Sequence, residues 1–204
     1  MTIRIFFSPA SPFVRKAMVA AEERGVTVEK LASAAWPVKR DPNIVRHNST
    51  GKVPCLLLED DSPVFDSRVI SAYIDAQGVV GETLYPQDSR RFTVLTLEAL
   101  GDAILEAALL NRYENVLRPE DKRWDDWANS QMDKVDSGLD DLEGRWFAAV
   151  SGDFHAGAIA VACTLGYLDF RFPDKDWRTG RPRLAEWFKT VSERPSMKAT
   201  FPTA

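Results

Sequence analysis

Residues 48–70 read NSTGKVPCLLLEDDSPVFDSRVI, and they hold a turn, two short strands and the start of a helix. The apolar run at 55–58 is followed by EDDS, which predicts a tight hairpin turn into a second strand, PVF. Asp66 and Ser67 then open an amphipathic helix, whose first N–H groups have no partner within the helix. Because such a helix start attracts anions, the stretch predicts an anion-binding site at these two residues.

A proline stands at the mouth of the first of these strands. Pro54 has no N–H to donate to a sheet, so it fits at a strand's first residue or on an edge. The bond between Val53 and Pro54 is of the one kind that adopts the cis form at a small energetic cost. If this bond is cis, we expect the N–H and C=O of Val53 to point outward and to pair with an extended peptide.

The chain before this stretch predicts two strands, at 4–7 and 27–32, with a helix between them. Pro12 suits the first residue of that helix, which makes Ser11 its N-cap. Residues 34–46 are expected to be irregular with a short helical turn. This order predicts one small sheet with a parallel first pair, an antiparallel second pair and helices on both faces.

The second half of the chain has a different character. Residues 78–88, GVVGETLYPQD, are punctuated by glycine and proline and predict a linker. Beyond it the apolar spacing is helical, and residues 156–170 are apolar nearly all round, which is typical of a helix buried within a bundle. The sequence predicts an α+β domain at 1–78, a linker at 79–88 and an all-helical domain at 89–204. Helices of that last domain are expected at 89–116, 120–147, 156–170 and 182–191.

Composition argues against several classes of protein. The 204 residues are 45% hydrophobic and 27% charged, which is ordinary for a globular protein. A net charge of -4 with no basic face argues against nucleic acid as a partner. We expect no membrane partner and a cytoplasmic location, since no apolar run is long enough to span a bilayer and the N-terminus lacks a secretory pattern. The two cysteines and two histidines have no metal-ligand spacing, so we expect no metal and two reduced, structural thiols.

Four motifs, in this order, resemble those of the cytosolic glutathione transferases, and the resemblance is to bacterial-like members of the serine type. The motifs are SPFVRK at 11–16, NSTGKVP at 48–54, FDS at 65–67, and AVAC with GYL within 160–168. The resemblance covers the whole chain and implies a thioredoxin-like domain followed by a helical bundle. It also implies a homodimer that uses glutathione as a co-substrate and needs no other cofactor.

The resemblance places the thiol of glutathione beside Ser11. An O–H donor at the positive end of a helix lowers a thiol pKa and raises the thiolate fraction at neutral pH, so Ser11 is expected to stabilise an anion and not to act as a nucleophile. The simpler alternative is that Ser11 only caps its helix. Ser8 is the competing hydroxyl, closer to the end of the strand.

The same resemblance assigns the rest of glutathione. Val53, beside Pro54, pairs its backbone with the cysteinyl part, while Asp66 and Ser67 hold the γ-glutamyl ammonium and carboxylate. Simple helix capping is an equal alternative for Asp66 and Ser67. Further glutathione contacts are expected from Lys52, with Lys39 and Arg40 as other candidates for the glycyl carboxylate, and from Phe13.

The resemblance places a small hydrophobic electrophile against the long helix near 101–112 and the loop after the first strand. Polar residues there are candidates for orienting it, and two phenylalanines are candidates for its walls, although all of them also suit an interface or a solvent-exposed surface. They are Asp102, Glu106, Asn111, Tyr113, Phe7 and Phe13.

Two departures from the family pattern are visible. The buried helix of the family begins with a Ser/Thr-x-x-Asp capping box, and His155 and Ala158 stand at the matching positions, so we expect this helix start to lack its reciprocal cap. The first turn of the helix after Ser11 holds no tyrosine or cysteine. That absence excludes the tyrosine class and argues against a mixed disulfide with the protein.

Three functions fit these residues. The first is an enzyme of detoxification that activates the glutathione thiol for attack on an electrophilic carbon. The second is a non-catalytic binding or regulatory protein of the same fold. The third is a glutathione-dependent isomerase or dehalogenase, which would share the site and differ in its electrophile pocket.

Overall fold

In the computed structural model, which describes residues 2–203, the chain divides into two units. The first unit runs to Ser89 and also takes in the segment that begins at Glu193. The second unit is Arg90–Ser192. None of the helices within the described residues is long and apolar enough to cross a membrane.

The sheet of the first unit has four strands: β1 (Thr2–Phe6), β2 (Thr27–Leu31), β3 (Cys55–Leu57) and β4 (Pro63–Val64). Their order is β2-β1-β3-β4. β1 pairs in parallel with β2 and antiparallel with β3, and β3 pairs antiparallel with β4. This arrangement confirms the predicted mixed sheet.

Three helices accompany this sheet: α1 (Pro12–Arg24), α2 (Pro42–Val45) and α3 (Ser67–Gln77). α1 begins as predicted, with Ser11 as its N-cap and Pro12 at its first residue. It ends at Gly25, whose φ of 65° is left-handed and favours glycine. The core of the unit forms where α1 and α3 cover the sheet, and its fully buried members include Ile3, Ile5, Val14, Ala17, Leu56, Ile70 and Ile74.

The second unit is helical: α4 (Arg91–Val116), α5 (Asp125–Glu143), α6 (Phe147–Val150), α7 (Ala156–Arg171) and α8 (Pro182–Ser192). The single helix predicted at 120–147 is wrong. A 3-10 turn at Glu120–Lys122 follows Pro119, and Gly144 ends α5 before the short α6 begins. Gly144 therefore interrupts what apolar spacing alone presents as one helix.

The prediction of a central buried helix is confirmed, since every residue of α7 from Ala156 to Leu168 is buried. α7 lies close against α4, and two glycines permit the approach. A Cβ on Gly157 would lie 2.6 Å from Leu97 Cβ, and one on Gly101 would lie 3.0 Å from the carbonyl carbon of Ala160. Thr164 Oγ1 adds a hydrogen bond of 3.0 Å to the Gly101 carbonyl oxygen.

The start of α7 lacks the reciprocal cap, as expected, but it has a single cap that the sequence did not predict. The capping box is absent, but the N–H of Ala158 donates to Nδ1 of His155 over 3.1 Å. The other ring nitrogen, Nε2, lies 3.2 Å from the Ala149 carbonyl oxygen. An imidazole that accepts at Nδ1 and donates from Nε2 is neutral. His155 therefore supplies a cap that serine, threonine or aspartate would usually provide.

The last segment of the chain contains α9 (Pro195–Ala199) and contacts α1. Arg194 Nη2 lies 2.6 Å from a carboxylate oxygen of Glu23, and Ser196 Oγ donates to the same carboxylate. Arg15 Nη2 donates to the Met197 carbonyl oxygen over 3.1 Å. The sequence assigned this segment to the helical domain, whereas its contacts are with the first unit. The domain boundaries at 78 and 88 stay a prediction.

Candidate functional site

Strand register brings the loop before α1 next to the proline that precedes β3. Phe6, the last residue of β1, pairs with Cys55, the first residue of β3. The chain leaving Phe6 leads to Ser11, and the residue before Cys55 is Pro54. The hydroxyl and the proline predicted to contact one ligand are therefore attached to the same edge of the sheet.

The hairpin brings the start of α3 to that edge as well. Leu56 of β3 pairs with Val64 of β4 in an antiparallel register. Continuing from this pair, the chain after Val64 runs alongside the chain before Leu56, so Asp66 and Ser67 follow on beside Pro54. Three segments that are separate in the sequence meet here because the strand pairing requires it.

Ser11 both caps α1 and keeps a donor. Its Oγ accepts from the Val14 N–H over 3.3 Å, and the side chain is half-buried. Accepting a hydrogen bond uses a lone pair of the hydroxyl and leaves its proton for a second partner. Capping and anion stabilisation are therefore compatible roles for this residue.

Ser8 faces a different space. It lines a cavity of about 670 Å³ bounded by α1, β2 and the C-terminal segment, together with Arg15, Met18 and Phe201. None of the other predicted glutathione contacts lines this cavity.

The backbone of Val53 is free to pair. The Val53–Pro54 bond is cis, as is Phe65–Asp66. Neither the N–H nor the C=O of Val53 makes a hydrogen bond to any residue within 2–203. A donor and an acceptor on one residue are what an extended peptide needs to add itself to a strand.

Asn48, for which no role was predicted, holds the loop that leads to Val53. Its side chain is buried, and Oδ1 accepts from the N–H and the hydroxyl of Thr50 over 3.1 and 2.8 Å. Nδ2 donates to the Lys52 carbonyl oxygen over 3.0 Å. Asparagine before a small-residue turn is a signal for this kind of local hydrogen bonding, so the pattern was visible in NSTG.

The start of α3 offers a hydrogen-bond acceptor, the carboxylate of Asp66, and hydrogen-bond donors, the hydroxyl and N–H of Ser67. Asp66 is exposed, and its Oδ1 accepts from the Arg68 N–H over 3.0 Å, which is the capping role. Ser67 is only 3% exposed, yet in the described part of the chain neither its hydroxyl nor its N–H has a hydrogen-bond partner. A hydroxyl and a backbone N–H that both keep their protons free at a helix start suit an external acceptor such as a carboxylate.

The remaining glutathione candidates differ in their contacts. Lys52 and Lys39 are exposed. Arg40 is tied to the loop, since Nη1 donates to the Ser49 carbonyl oxygen over 3.1 Å. Phe13, in the first turn of α1, is half-buried. Of these, only Arg40 has a structural role that competes with ligand binding.

The residues of the helical unit that were candidates for orienting an electrophile differ in exposure and in hydrogen bonding. Asp102 is 1% exposed and Asn111 is 8% exposed, and the amide of Asn111 donates to the Ala128 carbonyl oxygen over 2.8 Å. Glu106 is exposed, and Tyr113 is half-buried, with a pKa that burial raises. Asn111 therefore serves the packing of α4 with α5, while Tyr113 stays available.

The two cysteines and the candidate metal ligands were also located in the structure. Both cysteines are free and buried, and burial raises the pKa of Cys55 to about 11. A thiol with such a pKa stays protonated at neutral pH, so Cys55 is a poor nucleophile. Across the described residues, no group of histidine, cysteine, aspartate or glutamate side chains is arranged to hold a metal ion.

Two family models match the chain. The model described as "Glutathione S-transferase, N-terminal domain" matches residues 10–77. The model described as "Glutathione S-transferase, C-terminal domain" matches residues 125–190.

Individual proteins are similar over the full length. The chain is 32% identical over 202 residues to the "Uncharacterized GST-like protein YibF" of Escherichia coli, and the match covers 98% of each chain. It is 45% identical, with a TM-score of 0.96, to a glutathione transferase family member from Pseudomonas fluorescens Pf-5 with bound glutathione, covering 99% of this chain and 100% of that one. A second crystal structure from that organism, with bound S-(propanoic acid)-glutathione, is 44% identical with a TM-score of 0.91, covering 98% and 100%.

Proposed function

The chain belongs to the glutathione S-transferase family, and from this premise we propose that it binds glutathione and activates the glutathione thiol for attack on a small electrophile. The observation that carries the proposal is the set of unpartnered polar groups at one sheet edge: the backbone of Val53 and the hydroxyl and N–H of Ser67. A tripeptide with a free α-carboxylate matches both. Its backbone pairs with Val53, and its γ-glutamyl carboxylate accepts from Ser67.

Three further residues complete the proposed binding mode. The negative charge of the Asp66 carboxylate attracts the γ-glutamyl ammonium. Because Oδ1 already accepts from the Arg68 N–H, Oδ2 is the oxygen that contacts the ammonium. Lys52 lies next to Val53 in the chain and supplies a cation for the glycyl carboxylate. Phe13 provides an apolar contact in the first turn of α1.

In the proposed chemistry, Ser11 Oγ–H donates to the glutathione sulfur, and the N-terminus of α1 adds a positive electrostatic potential. Both favour the thiolate over the thiol and lower the thiol pKa. The sulfur lone pair then forms the new C–S bond. Either a leaving group departs with its electron pair, or the electrons of a C=C bond take up a proton from water.

The bound ligand of a relative supports this chemistry. The Pseudomonas fluorescens structure that is 44% identical holds S-(propanoic acid)-glutathione, in which the sulfur carries a carbon substituent. We infer that the present chain also accommodates a group on the glutathione sulfur. The homodimer that the family resemblance implies and the cytoplasmic location expected from the sequence belong to this proposal.

Glutathione binding measured by calorimetry on the Ser67→Ala variant tests the proposal. Loss of one hydrogen bond to a charged carboxylate is expected to weaken binding by roughly tenfold or more. Ser71→Ala is the matched control, because Ser71 is a buried serine on the same helix whose hydroxyl also lacks a partner in the described chain but lies one turn further on. Equal affinities of the wild type and Ser67→Ala would contradict the proposed site.

Two other functions use the same site in different ways. An isomerase or dehalogenase would need the same thiolate and would differ only in its acceptor. A non-catalytic binding protein would bind glutathione without changing the pKa of its thiol. Titration of the bound thiol therefore separates the carrier from the enzymes.

A further inference from the structure

Two arginines and two tyrosines meet at the C-terminal ends of α4 and α7, within the helical unit. Arg112 and Tyr113 are neighbours on α4, while Tyr167 and Arg171 are one turn apart on α7. We refer to these four residues as the arginine–tyrosine cluster.

Helix register brings these residues together. Leu97 lies against Gly157 and Gly101 against Ala160, so α4 and α7 run side by side in the same direction. Arg112 is as far beyond Gly101 along α4 as Arg171 is beyond Ala160 along α7. Two parallel helices with this register carry the two guanidinium groups on adjacent turns.

The electrostatic effects agree with this proximity. Burial raises the pKa of Tyr167 to about 12, although Arg112 and Arg171 both act to lower it. Burial also lowers the pKa of Arg171, and repulsion from Arg112 lowers it further. The two cations are therefore close enough to influence each other and the same phenol.

No carboxylate of the described chain compensates these charges. Within residues 2–203, the side chains of Arg112 and Arg171 form no ion pair and no hydrogen bond, and the Arg171 guanidinium packs over the Phe170 ring at 4.0 Å. Other arginines of the helical unit do have acidic partners, for example Arg181 with Asp140 at 2.7 Å. In a chain with a net charge of -4, two neighbouring arginines without an acidic partner indicate an external anion.

The phenols of the cluster are also unpartnered. Tyr167 is only 3% exposed, yet its hydroxyl makes no hydrogen bond to any described residue, and the same holds for Tyr113. A tyrosine this buried usually finds a partner for its O–H. Tyr167 therefore presents an unused donor beside two cations.

We propose that the arginine–tyrosine cluster binds the carboxylate of a small organic acid. Guanidinium groups bind planar carboxylates in a bidentate manner, and phenolic O–H groups donate to the same oxygens.

Calorimetry of benzoate and of benzamide binding to the full chain tests this proposal. The two compounds are matched in shape and differ in charge. The wild type is expected to prefer benzoate by roughly tenfold or more. The Arg112→Gln/Arg171→Gln double variant should lose this preference. Arg145→Gln, which removes an exposed arginine of the same unit, should keep it.

A milder variant guards against misfolding of the double variant. Tyr167→Phe removes only a hydroxyl from a buried ring, and it should reduce the preference for benzoate several-fold. Equal wild-type affinities for benzoate and benzamide, or a preference that survives in the double variant, would overturn the proposed site.

Discussion

Ser11 and Ser67 each stand at the start of a helix, and their hydroxyls differ in one respect. The Oγ of Ser11 accepts from the Val14 N–H, whereas that of Ser67 has no partner in residues 2–203. A hydroxyl that already accepts can still donate its proton to a thiolate, while a free hydroxyl next to a free N–H suits a carboxylate. We therefore expect the two serines to contact different parts of the proposed glutathione ligand.

Among single residues, Asn48 also permits a test, since Asn48→Ala should destabilise the loop that presents Val53. The variant leaves the Thr50 N–H and hydroxyl and the Lys52 carbonyl without their buried partner. Thermal or urea unfolding should show a loss of about 1–3 kcal/mol, and calorimetry a several-fold weaker binding of glutathione.

Asn43→Ala is the matched control for this change. Asn43 is exposed and uses only its backbone N–H, which donates to Asp41. Its replacement should leave both measurements within error of the wild type. Equal glutathione affinity of Asn48→Ala and Asn43→Ala would contradict a role for Asn48 in positioning Val53.

Among the elements, the close approach of α4 and α7 depends on small residues. Gly157→Ala would place a Cβ 2.6 Å from Leu97 Cβ and 2.7 Å from the Val94 carbonyl oxygen. Although alanine favours helices by about 1 kcal/mol over glycine, this overlap should lower the free energy of unfolding by about 1–3 kcal/mol. Chemical denaturation measures the difference.

Gly152→Ala provides the comparison for that variant. A Cβ at Gly152 would meet its nearest atom, the Ala149 carbonyl oxygen, at an ordinary contact distance of 3.6 Å. Its stability should stay close to that of the wild type. If Gly157→Ala were as stable as Gly152→Ala, the tight contact between α4 and α7 would be refuted.

The cap of α7 makes the stability of this helix depend on pH. Burial lowers the pKa of His155 below its usual value of 6.5, although its hydrogen bond to the Ala149 carbonyl acts in the opposite direction. The unfolded chain therefore takes up a proton on this ring at a higher pH than the folded chain does. The stabilisation is complete above about pH 6.5 and decreases as the pH falls toward the folded-state pKa.

His155→Asn should remove this pH dependence. Asparagine is a good N-cap that does not titrate, so the variant keeps an acceptor for the Ala158 N–H at every pH. The difference in unfolding free energy between wild type and variant should stay constant above about pH 6.5. It should change in favour of the variant as the pH is lowered below this value. A difference that is constant over this range would show that the cap does not titrate.

For the whole molecule, local patterns predicted the sheet, the buried helix and the start of α1, because proline, glycine and apolar spacing act over a few residues. The break at Gly144 and the His155 cap were missed. The cap was missed because histidine is not one of the usual capping residues. The break was missed because the apolar spacing on the two sides of Gly144 fits one continuous helix. Features that join distant segments were beyond local patterns, as with Arg112 and Arg171, which meet only through the register of two helices.

The same reason explains the last segment of the chain. Its helical composition gave no sign that it contacts the first unit, because the contacts depend on Glu23, far away in the sequence. Arg194 and Ser196 both bind that carboxylate, and the pKa of Glu23 is lowered by these hydrogen bonds against the opposing effect of burial. Such pairing is visible only in three dimensions.

We propose above all that this chain makes the thiol of bound glutathione more acidic. The direct measurement is the pH titration of the thiolate absorbance of bound glutathione, on the wild type, Ser11→Ala and Ser8→Ala. The wild type and Ser8→Ala should show a thiol pKa well below that of free glutathione, and Ser11→Ala should show a higher one. A bound thiol that titrates like free glutathione in the wild type, or equally in wild type and Ser11→Ala, would contradict the account.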